Sequence, residues 1–408
     1  SVIIVRQDDG SIKGFYNSCA HRGQRLVNFD SSQDSFRCPY HDWQFGLNGD
    51  VIGCPDPDDF PEGSPIGKRK LVEVRVDTWD GFIFYTMNDK APELLEYLDP
   101  LPEIYKNHNF KDQIRAQWVR VELDVNWKFF CDNFNESYHT RFVHPQVPSV
   151  IDQDHFTSRY EMFPKGHARI IQMGRPSLRD RVHEGEDHPF QGILEDWGVD
   201  TSKYKDYEAL SEQGWIDLKK AKRKNYKEKG YHHYENLSDE ELTESPFQFI
   251  FPNIAMGVQA DGCILLNWFP HPTDPEKCYF DLWDMGYPIG GSAKGIGKTG
   301  RDTDEEFKST SAGIGETGRT SNQEYFSRTK VNPIILQEVE LDFRDYDNGK
   351  GVEDLWDHVV YQDWQLTDGL RRGVKSRGYQ EPYLASQETR VRFFHEKLHD
   401  YLNGNPPK

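Results

Sequence analysis

The chain has 408 residues, with 49 Lys and Arg against 68 Asp and Glu and a formal net charge of −19. That balance argues against nucleic acid or an anionic membrane as partner, and favours a basic protein partner if there is one. The length allows two domains, and with no run of about 18 apolar residues and no charged-then-apolar leader, a cytoplasmic protein is expected.

In chain order, Val2-Ile3-Ile4-Val5, Asp8-Asp9-Gly10 and Gly14-Phe15-Tyr16 read as strand, turn and strand. Ser1-Val2 reads as the middle of a sheet, so a leading segment is expected ahead of it. The second strand runs into Cys19-Ala20-His21, and Cys38-Pro39-Tyr40-His41 follows. Trp43 to Phe45, Asn48-Gly49 and Val51-Ile52 then leave through a hairpin turn. Two Cys and two His on paired loops suit a [2Fe–2S] centre with two Cys on one iron and two His on the other, the Rieske arrangement. A structural zinc site accepts the same donors, but it usually repeats Cys-x-x-Cys or His-x-x-x-His within each half. Here each half supplies one Cys and one His, which favours the cluster. Neutral imidazoles in place of two thiolates raise its potential, so the chain is expected to move electrons. Cys54, Cys131, Cys263 and Cys278 lack paired spacing and read as reduced structural thiols.

Asn88-Asp89-Lys90-Ala91-Pro92 ends the small β region, which predicts one domain over 1–95 and a second over 96–408. Residues 126–145 hold His139 and His144 with acids at Asp132 and Glu136. On a helix, steps of four and three place Asp132, Glu136 and His139 on one face. His144 falls roughly 140° away on an ideal helix, so both imidazoles reach one metal only if the helix loosens or ends between them. Pro145 supplies the reason, because the residue before a proline is pushed out of the α region. Two histidines beside an acid stripe then read as a metal site.

Residues 201–245 are highly charged, with Lys219-Lys220-Ala221-Lys222-Arg223-Lys224 among them, and read as a solvated helix or excursion, a subunit or reductase contact being the sharper alternative. Phe247 to Phe251, Ile254 to Gln259, Cys263 to Phe269 and Cys278 to Asp284 form an antiparallel meander. The Gly-rich stretch 289–321 falls short of a phosphate loop, because Ser292 stands where the first glycine is required; it reads as a mobile loop, with a substrate lid as the sharper alternative. Leu355, Val359, Leu366 and Leu370 recur at helical spacing, and Asp363 falls on that apolar stripe, with Asp357 and Asp368 well round the helix from it. A carboxylate there is costly unless paired or coordinating a metal.

Asn126-Trp127-Lys128, Asp132-Asn133-Phe134, Glu136, Tyr138-His139 and His144-Pro145, about a hundred residues after the Cys/His pair, resemble the mononuclear iron motif of Rieske non-haem iron oxygenases, the large subunits of ring-hydroxylating oxygenases. The resemblance covers nearly the whole chain. It implies an α+β architecture: a small all-β Rieske domain, and a larger helix-grip (START-like) catalytic domain whose antiparallel sheet wraps on helices. It implies a Rieske cluster held by Cys19, His21, Cys38 and His41, and Fe(II) held by His139, His144 and Asp363, the carboxylate of the closing helix. Glu136 takes the family's bridging position between His139 and a cluster histidine of a neighbouring chain, most simply His41, while Asn133 and Tyr138 match outer positions that orient ligands. Many ring dioxygenases carry Asp in the bridging position; some branches acting on quaternary ammonium compounds carry Glu.

The implied reaction is oxygenation by O2 of a hydrophobic aromatic or polycyclic substrate, with electrons from a reductase or ferredoxin. The implied assembly is a homotrimer, with or without a β subunit. Phe134, Phe142 and Leu266 are candidate pocket walls. Three alternatives stand beside this reading. A Rieske monooxygenase, acting by demethylation or on a quaternary ammonium compound, is favoured by Glu136. A respiratory Rieske electron carrier would add two disulfide cysteines to the loops, and these are absent from Arg22-Gly23-Gln24 and Tyr40-His41-Asp42. A non-enzymatic binding module would lack a triad residue.

Overall fold

Two short runs of mostly apolar residues set the first sheet, in which Ile3 and Phe15 are buried and pair across β1 (Val2–Arg6) and β2 (Ile12–Tyr16). The structure is a computed structural model, and it describes residues 1–29, 31–182, 188–287, 339–342 and 358–405. The Gly-rich stretch 289–321 and the positions Leu355 and Asp357 lie outside the described residues. Contacts divide the chain into two compact units, one over Ser1–Pro102 and one beginning at Glu103.

In the first unit, β3 (Ser35–Arg37), β4 (Gln44–Gly46) and β5 (Val51–Gly53) form a three-stranded antiparallel sheet. With β6 (Glu73–Trp79) and β7 (Phe82–Thr86), the first two strands complete a four-stranded sheet in the order β1-β2-β6-β7. Phe15, Phe36, Trp43, Phe45, Val51 and Leu71 pack with Cys19 and Cys38 in one core. The predicted Asn48-Gly49 turn is present, and Gly49 is required there. Its φ is +90°, and a Cβ would sit 2.5 Å from the Phe15 ring. Short helices α1 (Leu94–Leu98) and α2 (Leu101–Ile104) follow.

The second unit is built on an eight-stranded sheet. Its strands are β8 (Ile114–Leu123), β9 (Arg159–Met162), β10 (Ala168–Met173), β11 (Glu244–Ile250), β12 (Ile254–Gln259), β13 (Gly262–Pro270), β14 (Cys278–Gly286) and β15 (Val339–Asp342). Their order is β15-β8-β14-β13-β12-β11-β10-β9, antiparallel except for β15 on β8. The meander read from the sequence is its centre. Register puts Leu282, Leu266, Ala255, Phe249 and Ala168 in one buried row across five strands. Period-two alternation sends that row to the face where the helices lie.

Those helices are α3 (Lys128–Phe134), α7 (His358–Trp364) and α9 (Thr389–Leu402), which supply Phe130, Trp364 and Phe394 to the same core. Between them in the chain come α4 (Thr140–Val143), α5 (Pro189–Asp196), α6 (Tyr207–Asn225) and α8 (Thr367–Gly373). Phe130 and Trp364 both meet Phe280 edge-on, at 5.3 and 5.4 Å between ring centroids. The α+β expectation of an antiparallel sheet wrapped on helices is met.

The charged stretch needs correcting. Helix α6 buries Leu210, Gly214 and Leu218 in a second core, and even Lys222 of the basic run is buried, its Nζ donating to the Leu242 carbonyl at 3.0 Å. The apolar residues lie among the charges at helical spacing, so this is a packed amphipathic helix rather than a solvated excursion. The six cysteines are free thiols. Among the described residues, no helix is long and apolar enough to cross a membrane.

Candidate metal centres

The two Cys/His loops are the same turn built twice. The Cys19 N–H donates to the Gln24 carbonyl, and the Cys19 carbonyl accepts from Gly23. At the second loop the Cys38 N–H donates to Trp43, and the Cys38 carbonyl accepts from Asp42. The residue four after each cysteine is left-handed, Gly23 at φ +77° and Asp42 at φ +53°. Glycine adopts that conformation freely. Asp42 is held in it by a two-point pairing with Arg37, at 2.9 and 2.6 Å.

These turns bury both cysteines and leave His21 exposed and His41 half-buried. The imidazole centroids are 4.7 Å apart, and His21 stacks flat on the buried Trp43 at 4.7 Å. Burial, then the neighbouring Cys38 thiol, pushes the Cys19 thiol up, while burial, then His41 and Arg22, pushes His21 down. Two adjacent buried thiols on the same turns as two neighbouring imidazoles are a donor set that fits a mixed-ligand [2Fe–2S] cluster.

In the second unit, helix α3 ends earlier than the acid-stripe argument requires. Asn135, fully buried, closes it by donating its side-chain amide to the Cys131 carbonyl at 2.8 Å and its own N–H to Asp132. Glu136 and His139 therefore lie beyond the helix, so Asp132, Glu136 and His139 do not share a helical face. Asp132 faces His395 of α9 instead, at 2.7 Å. The break that Pro145 predicts falls at His144 itself: the chain leaves the helix a first time at Asn135, ahead of both histidines, resumes it for α4 between them, and leaves again at His144, whose backbone is at φ −122°, ψ 64°. Physically, a buried side chain that can donate to one of the last carbonyls stops a helix whatever the periodicity beyond it.

That second departure turns the His144 ring inward. Its Nε2 lies 3.1 Å from Asp363 Oδ1, and the His139 Nε2 lies 3.5 Å from the same oxygen. One donor atom from each of His139, His144 and Asp363 falls within 4.8 Å of the other two. Asp363 and His144 side chains are each 2% exposed.

The apolar stripe argued for Asp363 is not what buries it. Helix α7 stops at Trp364, whose carbonyl accepts from the Thr367 hydroxyl at 2.7 Å, and Leu366 and Leu370 are each 38% exposed on the next helix. Val360 and Trp364 carry the burial, because α7 is a separate short helix pressed on the sheet.

Each histidine is braced from behind. Glu136 lies 2.5 Å from His139 Nδ1 and accepts from the backbone N–H groups of Tyr138 and His139. Burial opposes a charge on His139, but the Glu136 carboxylate more than offsets it and raises the imidazole's affinity for a proton. His144 Nδ1 lies 2.8 Å from Gln362 Oε1, which Gln146 also reaches at 2.9 Å.

Asn133 donates to Asp363 Oδ1 at 3.2 Å and lies 3.4 Å from His139 Nε2, while its own buried Oδ1 has no partner among the described residues. Tyr138 reaches the site through its backbone, with its ring against Arg141. Of the candidate walls, Phe134 stacks on Phe247, Leu266 is buried in the core, and Phe142, at 71% exposure, faces outward.

Gln146, Gln362, Asn135 and the fully buried Arg390, which donates to Asn135 Oδ1 at 3.2 Å, escaped the sequence reading. Amides far apart in sequence carry no periodic or charge signal, although a lone arginine amid the apolar positions of α9 was a visible one. Two imidazole nitrogens and one carboxylate oxygen, convergent, with His144 and Asp363 buried and His139 half-buried, fit Fe(II) with sites to spare for small ligands.

Comparison with known proteins agrees with this geometry. The model of the ring-hydroxylating alpha subunit catalytic domain matches residues 110–287 and 342–404, and that of the Rieske [2Fe–2S] domain matches residues 1–72. The large oxygenase component of the naphthalene 1,2-dioxygenase system of Pseudomonas fluorescens is 36% identical over 152 residues, 35% of this chain and 33% of that protein. The oxygenase subunit of carnitine monooxygenase from Escherichia coli (strain K12) is 30% identical over 208 residues, 47% of this chain and 52% of that one. The matched stretch thus spans about a third to a half of these relatives' lengths.

Two solved structures share the fold at 17% identity. One is a quaternary ammonium Rieske monooxygenase, with TM-score 0.59 and coverage of 98% of this chain and 81% of that one. The other is a naphthalene 1,2-dioxygenase variant bound to phenanthrene, with TM-score 0.58 and coverage of 99% and 82%. With family models covering both units, the chain belongs to the ring-hydroxylating alpha subunits, the Rieske non-haem iron oxygenase family, whose cofactors are a Rieske [2Fe–2S] cluster and a mononuclear iron.

Proposed function

We propose that this chain is the oxygenase component of a Rieske ring-hydroxylating system, and that it uses O2 and electrons from a reductase or ferredoxin to dihydroxylate a hydrophobic aromatic or polycyclic substrate. The observation that carries the reading is the convergence of half-buried His139 with buried His144 and Asp363 in a chain that also presents the Cys19/His21 and Cys38/His41 loops. Cys19, His21, Cys38 and His41 would hold the cluster in a domain over 1–95, and the triad would hold Fe(II) in a domain over 96–408. One-electron transfer and O2 activation are the chemistry these groups supply when bound.

The chain's own residues do the rest. Burying the thiols while leaving the imidazoles toward solvent directs electron exchange through the histidine side of the cluster loops. Glu136 holds the proton on His139 Nδ1, keeps Nε2 free for the metal, and is the bridging carboxylate toward a cluster histidine of a neighbouring chain. That role requires a closed ring of chains, a homotrimer with or without a β subunit. Asn133 keeps an amide beside Asp363 and His139. The cytoplasm is where such a reductase-fed component would work.

A second reading is a Rieske monooxygenase acting on a quaternary ammonium compound. It is favoured by Glu136 in the bridging position and by the longer matched stretch to the carnitine enzyme's subunit.

Iron and sulfide analysis with reduced-state electron paramagnetic resonance tests the centres. About three irons and two sulfides per chain with a Rieske signal are expected. Two irons, persisting after Fe(II) reconstitution, would remove the catalytic reading. Turnover with a reductase, comparing naphthalene with carnitine, then separates the two substrate classes: a cis-diol supports the first, and trimethylamine release the second.

A further inference from the structure

The two histidines of the triad are braced by groups of different charge. Behind His139 stands the Glu136 carboxylate, and behind His144 a neutral amide, Gln362, whose Oε1 lies 2.8 Å from Nδ1. An imidazole can give a lone pair to a metal through Nε2 only if its proton sits on Nδ1. Behind His144 that demands an acceptor, so Gln362 must present oxygen and not its NH2 group. Nothing in a free glutamine decides which way its amide faces.

Gln146, as placed, matches that orientation, its Nε2 donating to the same Gln362 oxygen at 2.9 Å. A flipped Gln362 would set two NH2 groups against each other and offer His144 a donor in place of an acceptor. Gln146 is itself buried at 8% exposure, and it follows His144 by two residues across Pro145. Gln362 immediately precedes Asp363 on α7. The chain of amides therefore links the two segments that carry the donor atoms, and it adds no negative charge to a place already holding Asp363 and Glu136.

We infer that Gln362, oriented by Gln146, is a positioning residue that sets the tautomer of His144 and thereby the affinity of the triad for its metal. The inference rests on reading His139, His144 and Asp363 as the iron site.

The test uses the full chain with its cluster in place, stripped of mononuclear iron and titrated with Fe(II) against a chromophoric chelator. Far-ultraviolet circular dichroism and the thermal transition of the second unit, which holds both glutamines, serve as the control for folding. Gln362→Leu, which removes the acceptor, is expected to weaken Fe(II) binding about 10–100-fold. Gln146→Leu, which only releases the amide to flip, should weaken it less. Gln362→Glu, which keeps an acceptor and cannot flip to a donor, should bind at least as tightly as the unsubstituted chain, and should do so even when combined with Gln146→Leu.

Undiminished binding by Gln362→Leu, or Gln362→Glu binding no better than Gln362→Leu, would overturn the relay while leaving the iron site standing. Failure of the unsubstituted chain to bind Fe(II) would overturn the site and the relay together. Should Gln362→Leu lose the circular dichroism or thermal transition of the folded second unit, the comparison of Gln146→Leu with its Gln362→Glu double variant decides alone, absence of rescue being the overturning result.

Discussion

The two centres are assembled by opposite means. The Cys/His loops draw their four side chains from residues 19–41 and use one hydrogen-bonded turn twice, so most of what they need is written locally. The triad draws two histidines from a broken helix and its carboxylate from more than 200 residues downstream, and only the eight-stranded sheet brings them together. Solvent access differs as well, because the loops turn imidazole outward whereas Asp363 and His144 are sealed. A local centre tolerates damage elsewhere in the chain, and a long-range centre depends on the whole core that supports it.

That contrast can be broken or sharpened by substitution. Asp363→Ala should abolish mononuclear iron and reduce turnover to background while the cluster's colour persists, checked by iron content beside the visible spectrum. Cys38→Ser is the mirror experiment: it should remove the cluster and leave Fe(II) uptake by the triad intact. Joint loss of both centres in either variant would break the comparison.

Phe130→Ala removes a ring packed against Trp268 and Phe280 in the sheet-facing core and should cost about 3–5 kcal/mol. Iron retention on heating should suffer before cluster absorbance does. Glu136→Gln should leave both metals bound and cut steady-state turnover about 10–100-fold, the size typical of a lost outer-shell partner. Full turnover would sink the bridging role.

The smallest effect is a pH dependence. The Asp132 carboxylate raises His395 above its usual 6.5, against the opposing effect of burial. A raised histidine contributes stability that is fully present below its unfolded value and is lost as pH rises through the folded one. With His395 48% exposed, the contribution is about 0.5 kcal/mol. Denaturation midpoints should therefore fall slightly from pH 6.5 upward, and His395→Ala should flatten that slope.

Legibility followed the range of the interactions. Apolar runs bounded by turn residues exposed the meander within a residue or two at most ends, because strands buried along almost their whole length are apolar on both faces and polar only where the chain turns. Periodicity failed around Glu136, where the buried Asn135 ends the helix, and again around Asp363, where a hydroxyl from Thr367 separates two short helices that a continuous stripe would have fused. It also under-read α6, since charge counts hide apolar residues spaced three and four apart.

What the sequence determined by itself was chemical and local: the donor types, the paired turns that present two Cys and two His, and the apolar runs between turn residues that make a sheet. The burial of Asp363 against the two histidines was decided only by tertiary structure, as was the arrival of Gln362 behind His144. Those features depend on groups that share no segment. Their distances are set by the packing of α3, α7 and α9 on one sheet face, a property of the folded core that no local stretch of sequence contains.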